Sequence, residues 1–436
     1  MFYIALKLGH NHNHTNCMSS NRINASIITI GDELLIGQTI DTNSAWMAQQ
    51  LNKLGVWVKR RVAVGDVYAE IWNALDEEAL QSQLIFITGG LGPTADDITK
   101  PLLCEYFNGK LVVDDEALEN VKLIFSKYLN RPLLDRNLKQ AEVPDLCTVI
   151  HNKRGTAPGM WFEKNGKIFI SMPGVPHEMK GMMTDYVLPR LPSLFQLPAV
   201  VHRTLLTAGI GESFLAEIIK DFEANLPDHV KLAYLPNYGM VRLRLTSTGE
   251  NVAAITTELD ELFATLQNLV TDVMVINDDK TMQEAIGEML LQKGKTMCTA
   301  ESCTGGYVSH LITSIPGSSA YFVGSVVSYS NELKVRILGV SPETLKTFGA
   351  VSEQTVIEMA NGAKKTMNAD YAVSISGIMG PDGGTDEKPV GMVWIAISGP
   401  KETTAKKFQF RFDRTRNIDL TATNALNFLR EVILQS

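Results

Sequence analysis

A chain of 436 residues, 45% hydrophobic and 20% charged, has an ordinary globular make-up, and at roughly 150 residues per domain it is long enough for two or three cores. Its net charge of −8 argues against a general nucleic-acid binder, which needs a basic footprint. Its five cysteines (Cys17, Cys104, Cys147, Cys298 and Cys303) form no CxxC pair, so neither a zinc site nor a disulfide framework is indicated, and no run of about 18 apolar residues offers a membrane span.

Residues 1–25 are polar and carry His10, His12 and His14 at alternate positions. A short histidine tract can bind metal. The segment reads better as a disordered leader with Met18 as an alternative start, and it lacks the basic start and long apolar core of a secretory signal. From 26 to about 110, strand and helix alternate. An apolar run at 27–30 ends at Gly31, and helical spacing over 43–54 stops at Gly55, a suitable C-cap. Residues 56–64 read as a strand, 68–80 as a helix and 84–88 as a buried strand before Gly89-Gly90. That alternation predicts a parallel sheet with helical cover.

The stretch 111–195 is mixed; an apolar strand at 168–171 runs into MPGVPHEM (172–179), and Pro189, Pro192 and Pro198 mark a boundary. Residues 199–276 read as a small α+β unit, with strands at 200–207 and 240–246, helices at 213–226 and 252–269, and a strand and linker over 270–282. A second alternation then begins with a helix at 282–293 and a strand at 296–301. Strands at 371–376, 391–398 and 405–412 and a helix at 418–434 follow.

Three polar, glycine-bearing segments stand out in the C-terminal part. AESCTGG (300–306) closes a strand and opens a helix, the place where open α/β sheets bind ligands and where free N–H groups suit an anion. Ser302 and Thr304 suit capping as well as chemistry, and Gly305 and Gly306 let backbone approach a ligand; the plain alternative is a cap and a tight turn. SYSNELK (328–334) groups Tyr329, Asn331 and Lys334. A lysine can act as a serine's base if burial lowers its pKa, and a tyrosine can relay a proton or hold an oxyanion. SGIMGPDGG (376–384), with Gly380, Asp382 and Gly383, suits a phosphate or a ribose. Arg414 in FDRTR (412–416) is a candidate phosphate ligand, because guanidinium pairs bidentately with phosphate. Cys303 is the rival nucleophile, since a helix N-terminus can lower a thiol pKa.

Two further segments, IITIGDELLIGQTIDTN (27–43) and TGGLGPTADDITK (88–100), each follow an apolar strand. Asp32, Asp41, Asp96 and Asp97 are expected to meet at the sheet top, where clustered carboxylates suit a Mg²⁺-type ion bridging a phosphate. Asn43, Gly89, Gly90 and Thr94 would complete the site; the alternative is that the aspartates simply cap helices.

Together with LGV (338–340), GAVSE (349–353) and ADYAVSISGIMGPDGGTDEKPVGMVW (369–394), the C-terminal motifs resemble the nicotinamide-nucleotide amidase domain of the competence/damage-inducible CinA family. The N-terminal motifs resemble the molybdopterin-binding-type domain of its full-length members, and 199–276 resembles their KH-type insert. The resemblance implies an α/β chain: a three-layer αβα molybdopterin-binding-like domain at 26–195, a small α+β KH-like domain at 196–276 and an αβα amidase domain at 283–436. It implies hydrolysis of nicotinamide mononucleotide to nicotinate mononucleotide and ammonia without a metal, with Ser302 as nucleophile in preference to Cys303. Lys334, directly or through Tyr329, would take the serine proton; N–H groups around 304–306 would hold the oxyanion or the phosphate. Arg416 falls outside the register expected for a further arginine.

For the N-terminal domain the resemblance implies either a relic pterin site or a divalent-metal-dependent pyrophosphatase acting on ADP-ribose, with Asp96 and Asp97 at the metal and His177 and Glu178 at the mouth. It also implies a homodimer, and the odd, scattered cysteines fit a reducing cytoplasm. The loop GIGE (209–212) lacks the GxxG spacing of a nucleic-acid-binding KH module, and Glu217, Asp221 and Glu223 follow it, so a spacer or dimerisation role is expected and no RNA partner. A non-enzymatic competence or DNA-damage partner is the alternative from another class, against which the acidic charge counts.

Overall fold

The computed structural model describes residues 22–94, 97–129, 132–237 and 239–436; His10, His12, His14, Cys17, Met18 and Asp96 lie outside them. The chain divides into two compact units, one running to residue 200 with 248–252, the other made of 201–247 and 253–436.

In the first unit, β1 (Asn24–Ile30), β2 (Trp57–Val64), β3 (Leu84–Thr88), β4 (Thr148–Ile150), β5 (Gly159–Lys164) and β6 (Lys167–Met172) form one sheet in the order β2-β1-β3-β6-β5-β4. β1 and β3 are apolar on both faces because both faces are covered. Met47 and Leu51 of α1 (Thr42–Lys53) pack with Ile27, Phe86 and Ile170 on one side; Ile71 and Leu75 of α2 (Tyr68–Gln81) pack with Ile28, Ile85 and Phe169 on the other. The result is three layers. The strands expected to be parallel, β1, β2 and β3, pair in parallel, and the antiparallel pairs of β5 with β6 and with β4 fall in the mixed stretch 111–195. Asn165 (φ 54°) and Gly166 (φ 71°) join β5 to β6, and a two-residue hairpin of that kind leaves no room for a parallel crossover. α3 (Thr99–Tyr106) and α4 (Pro176–Met182) follow the two strand-end loops that carry the N-terminal motifs.

In the second unit, β7 (Ala199–Ala208), β8 (Val230–Asn237), β9 (Met240–Gly249) and β10 (Met274–Ile276) make a sheet in the order β8-β9-β7-β10. Leu259, Phe263 and Leu266 of α5 (Val252–Leu269) cover Leu205, Leu243 and Leu245. The single helix expected at 213–226 is two, Glu212–Ile218 and Lys220–Ala224, broken at Ile219, whose φ of −105° and ψ of 12° leave the helical region.

The same unit continues through α6 (Met282–Lys293), β11 (Met297–Glu301), α7 (Tyr307–Thr313), β12 (Phe322–Val327), α8 (Asn331–Leu338), α9 (Glu353–Met367), β13 (Tyr371–Gly377), β14 (Met392–Ser398), β15 (Thr403–Gln409) and α10 (Arg414–Gln435). The sheet order is β12-β11-β13-β14-β15, with the first three strands parallel and the last two antiparallel. α6 and α10 cover one face through Ile286, Leu290, Leu426 and Leu429, and α9 covers the other through Val356, Met359 and Ala363. Ala208 of β7 joins this core and the Arg430 guanidinium donates to the Met274 carbonyl, so the small sheet and the larger one pack as one body. Among the described residues, no helix is long and apolar enough to cross a membrane.

Candidate functional site

Glu301 pairs in register with Val327 on one side and Ile375 on the other, so the loops that leave β11, β12 and β13 open at the same end of the sheet. Those loops are the three motif segments.

The β11 loop turns through Gly305 (φ 64°) and Gly306 (φ 99°), backbone conformations that favour glycine, before α7 starts. A Cβ at Gly305 would meet open space. Ser302 is anchored by its own N–H, which donates to the Ile375 carbonyl at 3.0 Å. The fully buried Glu301 carboxylate organises the rest of the turn. It accepts from the N–H groups of Gly306, Val308 and Ser309 at 3.0, 3.1 and 2.9 Å, and from the hydroxyls of Thr299, Thr304 and Ser309. The Gly305 N–H goes to the Ser302 carbonyl. The expectation that donors throughout 304–306 face a ligand is thereby corrected: Gly305 and Gly306 are engaged within the protein. Among the described residues, no carbonyl or side chain of a neighbour takes the N–H of Cys303 or Thr304.

α8 delivers Lys334. Ser330 caps its start, with its hydroxyl accepting from the Leu333 N–H, and Gly339 (φ 69°) ends it. Lys334 is 1% exposed; its Nζ donates to Ser302 Oγ at 3.0 Å and to the Ser328 carbonyl at 2.7 Å. Ser328 is tied back by its N–H to the Glu301 carbonyl at 2.9 Å. Burial lowers the Lys334 pKa from the ordinary lysine value. Ser302 is 8% exposed. The adjacent Cys303 belongs to the apolar core, and burial pushes its thiol up to about 12. Desolvation thus outweighs the helix N-terminus that would have activated it.

Tyr329 lies elsewhere than expected. Its side chain is exposed, and its hydroxyl accepts from Arg414 Nη2 at 3.3 Å; no bond joins it to Ser302 or Lys334. Arg414 Nη1 donates to the Gly380 carbonyl at 2.8 Å, so the motif segments at 329, 380 and 414 meet at the exposed guanidinium. Asn417, fully buried in the first turn of α10, fixes that meeting: its amide donates to the carbonyls of Met379 and Phe412, and its Oδ1 accepts from the Phe412 N–H. Asn331, Asp382 and Gly383 are exposed, and none of the described residues bonds the Asn331 or Asp382 side chain. Arg416 stacks on the Phe412 ring at 4.0 Å. Glu301, Ser328 and Asn417 were not singled out from sequence; a carboxylate ending a strand just before a helix start was the available signal for the first.

In the first unit the described carboxylates Asp32, Asp41 and Asp97 each bond locally. Asp41 caps α1 by accepting from the Ser44 N–H and hydroxyl. Asp97 closes its own loop, accepting from the N–H groups of Gly92 and Thr94 and the Thr94 hydroxyl. Asp32 exchanges hydrogen bonds with Asp66 across backbone N–H groups. Among the described residues, no group of three His, Cys, Asp or Glu side chains is placed to hold a metal ion. Gly89 (φ 117°) and Gly90 (φ 63°) make the turn after β3; a Cβ at Gly89 would lie 2.2 Å from the Ile30 carbonyl oxygen. Asn43, 8% exposed, donates to Thr88 Oγ1 and the Gly174 carbonyl, while its Oδ1 is buried without a partner. His177 is exposed; Glu178 accepts from Asn152 Nδ2 at 2.6 Å, and burial raises its pKa.

These features define a multidomain α/β protein with a buried serine–lysine pair at the strand ends of its C-terminal sheet. Three family models match: the probable molybdopterin binding domain over 26–193, the damage-inducible protein CinA KH domain over 202–274, and the CinA C-terminal domain over 279–433. The chain is 45% identical over 411 residues to a CinA-like protein of Cytophaga hutchinsonii, covering 94% of this chain and 98% of that protein. It is 43% identical over 413 residues to a CinA-like protein of Flavobacterium psychrophilum, covering 94% and 99%. The chain belongs to the CinA family. A crystal structure of a CinA superfamily protein from Klebsiella pneumoniae is 32% identical and corresponds to 36% of this chain and 100% of that one, with a TM-score of 0.35.

Proposed function

We propose that the C-terminal αβα part is a serine amidase that converts nicotinamide mononucleotide to nicotinate mononucleotide and ammonia. The observation that carries this reading is Lys334 Nζ at 3.0 Å from Ser302 Oγ, with both side chains buried. In its neutral form Lys334 accepts the serine proton as Oγ attacks the carboxamide carbon. The resulting oxyanion needs donors, and the N–H groups of Cys303 and Thr304 are the ones the turn leaves unengaged. Lys334 then returns the proton to the departing amine, ammonia leaves, and a water deprotonated by Lys334 cleaves the acyl ester. Arg414, with Tyr329 beside it, supplies an exposed guanidinium for the substrate phosphate. Ammonia release by the wild type, Ser302→Ala and Cys303→Ala tests the reading. Turnover by the wild type and Cys303→Ala with a dead Ser302→Ala supports it; an unchanged Ser302→Ala, or a folded wild type without activity, overturns it.

For the first unit, the described carboxylates do not make a divalent-cation site, and no metal-dependent step follows from them. The unpartnered, buried Asn43 Oδ1 beside Thr88 favours a unit that binds a ligand offering an N–H or O–H donor. Calorimetric titration with ADP-ribose, with and without Mg²⁺, and of Asn43→Ala, tests this. Equal affinity in the variant would remove Asn43 from the site.

A further inference from the structure

We propose that Glu301 is a positioning residue of the amidase centre, an inference that rests on the amidase reading above: the protein's own carboxylate, not the substrate phosphate, takes the N–H groups at the start of α7, and in doing so it holds the Ser302 turn in its reactive shape. Glu301 is fully buried, and no lysine, arginine or histidine among the described residues forms an ion pair with it. A buried carboxylate is costly unless hydrogen bonds replace its hydration. Here Oε2 accepts from Thr304 Oγ1, Gly306 N–H and Val308 N–H, and Oε1 from Ser309 N–H and Ser309 Oγ, with Thr299 Oγ1 at 3.3 Å sharing its one proton among Oε1, Ser309 Oγ and Ser325 Oγ.

The donors come from both sides of Ser302. Thr299 precedes it on β11, and 304, 306, 308 and 309 follow it, so the Glu301 side chain closes a ring of bonds around the nucleophile's turn. The backbone of Glu301 continues the same arrangement, because its carbonyl holds the Ser328 N–H and the Ser328 carbonyl holds Lys334. One residue therefore spans both halves of the Ser302–Lys334 pair. A carboxylate suits this position: glutamine, in either orientation of its amide, turns an NH₂ toward at least one backbone N–H that can only donate. A second consequence concerns the substrate. With the α7 N–H groups already taken, the phosphate must bind elsewhere, which leaves it to the exposed Arg414.

Glu301→Gln in the full chain is the test, read by the rate at which a fluorophosphonate probe labels Ser302 and by kcat and KM for nicotinamide mononucleotide. The expected result is a folded protein whose labelling rate and kcat fall at least about tenfold while KM changes less than about twofold, since misplacing a reacting group by ~1 Å costs on the order of a hundredfold. Labelling at the wild-type rate overturns the proposal. If Glu301→Gln does not fold, Ser309→Ala decides: it removes one hydroxyl donor and keeps the carboxylate, and it should slow labelling about two- to fivefold, an unchanged rate again overturning the proposal. If the wild type neither labels nor releases ammonia, the amidase reading fails by itself. Glu301 is then judged on amide hydrogen exchange over 302–309, where faster exchange in Glu301→Gln supports its positioning role and equal exchange refutes it.

Discussion

Lys334 Nζ donates to Ser302 Oγ at 3.0 Å although 32 positions separate the two residues, and Lys334 is among the most completely buried large side chains of the protein. A buried ammonium needs acceptors, and this one has two, the serine oxygen and the Ser328 carbonyl. The pair is costly as packing, and its arrangement suits a nucleophile with its base.

Removing either partner should abolish turnover. Ser302→Ala loses the nucleophile, and Lys334→Met, similar in volume, loses the proton acceptor; general-base removal typically costs about 10²- to 10⁴-fold. Cys303→Ala should keep kcat within about threefold and lower stability modestly, as a buried core side chain is shortened. Steady-state ammonia release beside thermal unfolding curves separates the two kinds of loss.

The pH dependence follows from the same pair. Burial lowers the Lys334 pKa, and only the neutral amine accepts a proton. Activity is therefore absent while Lys334 is protonated, and kcat/KM climbs as pH rises through its pKa, with a midpoint below the usual lysine value of about 10.5. A profile that falls rather than rises with pH contradicts Lys334 as the base. Lys334→Arg should be inactive across that range, since guanidinium does not deprotonate there.

Arg414 is exposed, bonded to the Gly380 carbonyl and to the Tyr329 hydroxyl, and so has further donors to offer a phosphate. Arg414→Ala should raise KM for nicotinamide mononucleotide about tenfold to a hundredfold, the range of one charge-assisted hydrogen bond at about 1.5–3 kcal/mol, with a smaller change in kcat. Tyr329→Phe should raise KM only a few fold, because the tyrosine steadies the arginine and touches neither Ser302 nor Lys334. Equal losses on the unphosphorylated nucleoside would show that Arg414 does not read the phosphate.

The sequence located the chemistry better than the contacts. Ser302 and Lys334 were legible because each lies in a polar, glycine-bearing segment next to an apolar strand, and strand ends converge in an α/β sheet. Of the two routes the sequence leaves open, direct or through Tyr329, the geometry favours the direct one, because Tyr329 leaves the strand end before α8 begins, whereas Lys334 lies on the buried face of that helix. Asp41 and Asp97 accept from N–H groups three to five residues away in their own loops, and that short-range bonding keeps them apart from one another. Strands β8 and β12 carry weak signals: Pro236 interrupts the first, and Gly324 and Ser325 dilute the second, an edge strand whose residues alternate between half-buried and exposed. The Asn165-Gly166 pair carries the hairpin signal that joins β5 to β6 within the stretch the sequence leaves mixed.

Lys100 offers a test of the first unit that is independent of any activity. It is 8% exposed in α3, donates to the Gln140 carbonyl at 2.9 Å, and burial lowers its pKa from 10.5 to about 8. Below about pH 8 the ammonium is charged in both folded and unfolded chains, and keeping it buried costs roughly 3 kcal/mol, at 1.36 kcal/mol per unit. Between about 8 and 10.5 the folded protein has released that proton while the unfolded chain still holds it, so this residue makes stability rise with pH. Tyr106 and Cys147, whose pKa values burial raises, act with the opposite sign over part of the same window. The difference between wild type and Lys100→Met therefore isolates the lysine. Urea unfolding of the full chain reads it, since Trp46, Trp57, Trp72 and Trp161, four of the five tryptophans, lie in this unit. The stability advantage of Lys100→Met over wild type should shrink steadily from pH 8 to 10.5, whatever its size at neutral pH. The lost bond to Gln140 contributes a constant offset and cannot produce that slope. A difference independent of pH would mean that Lys100 titrates alike in the folded and unfolded chain.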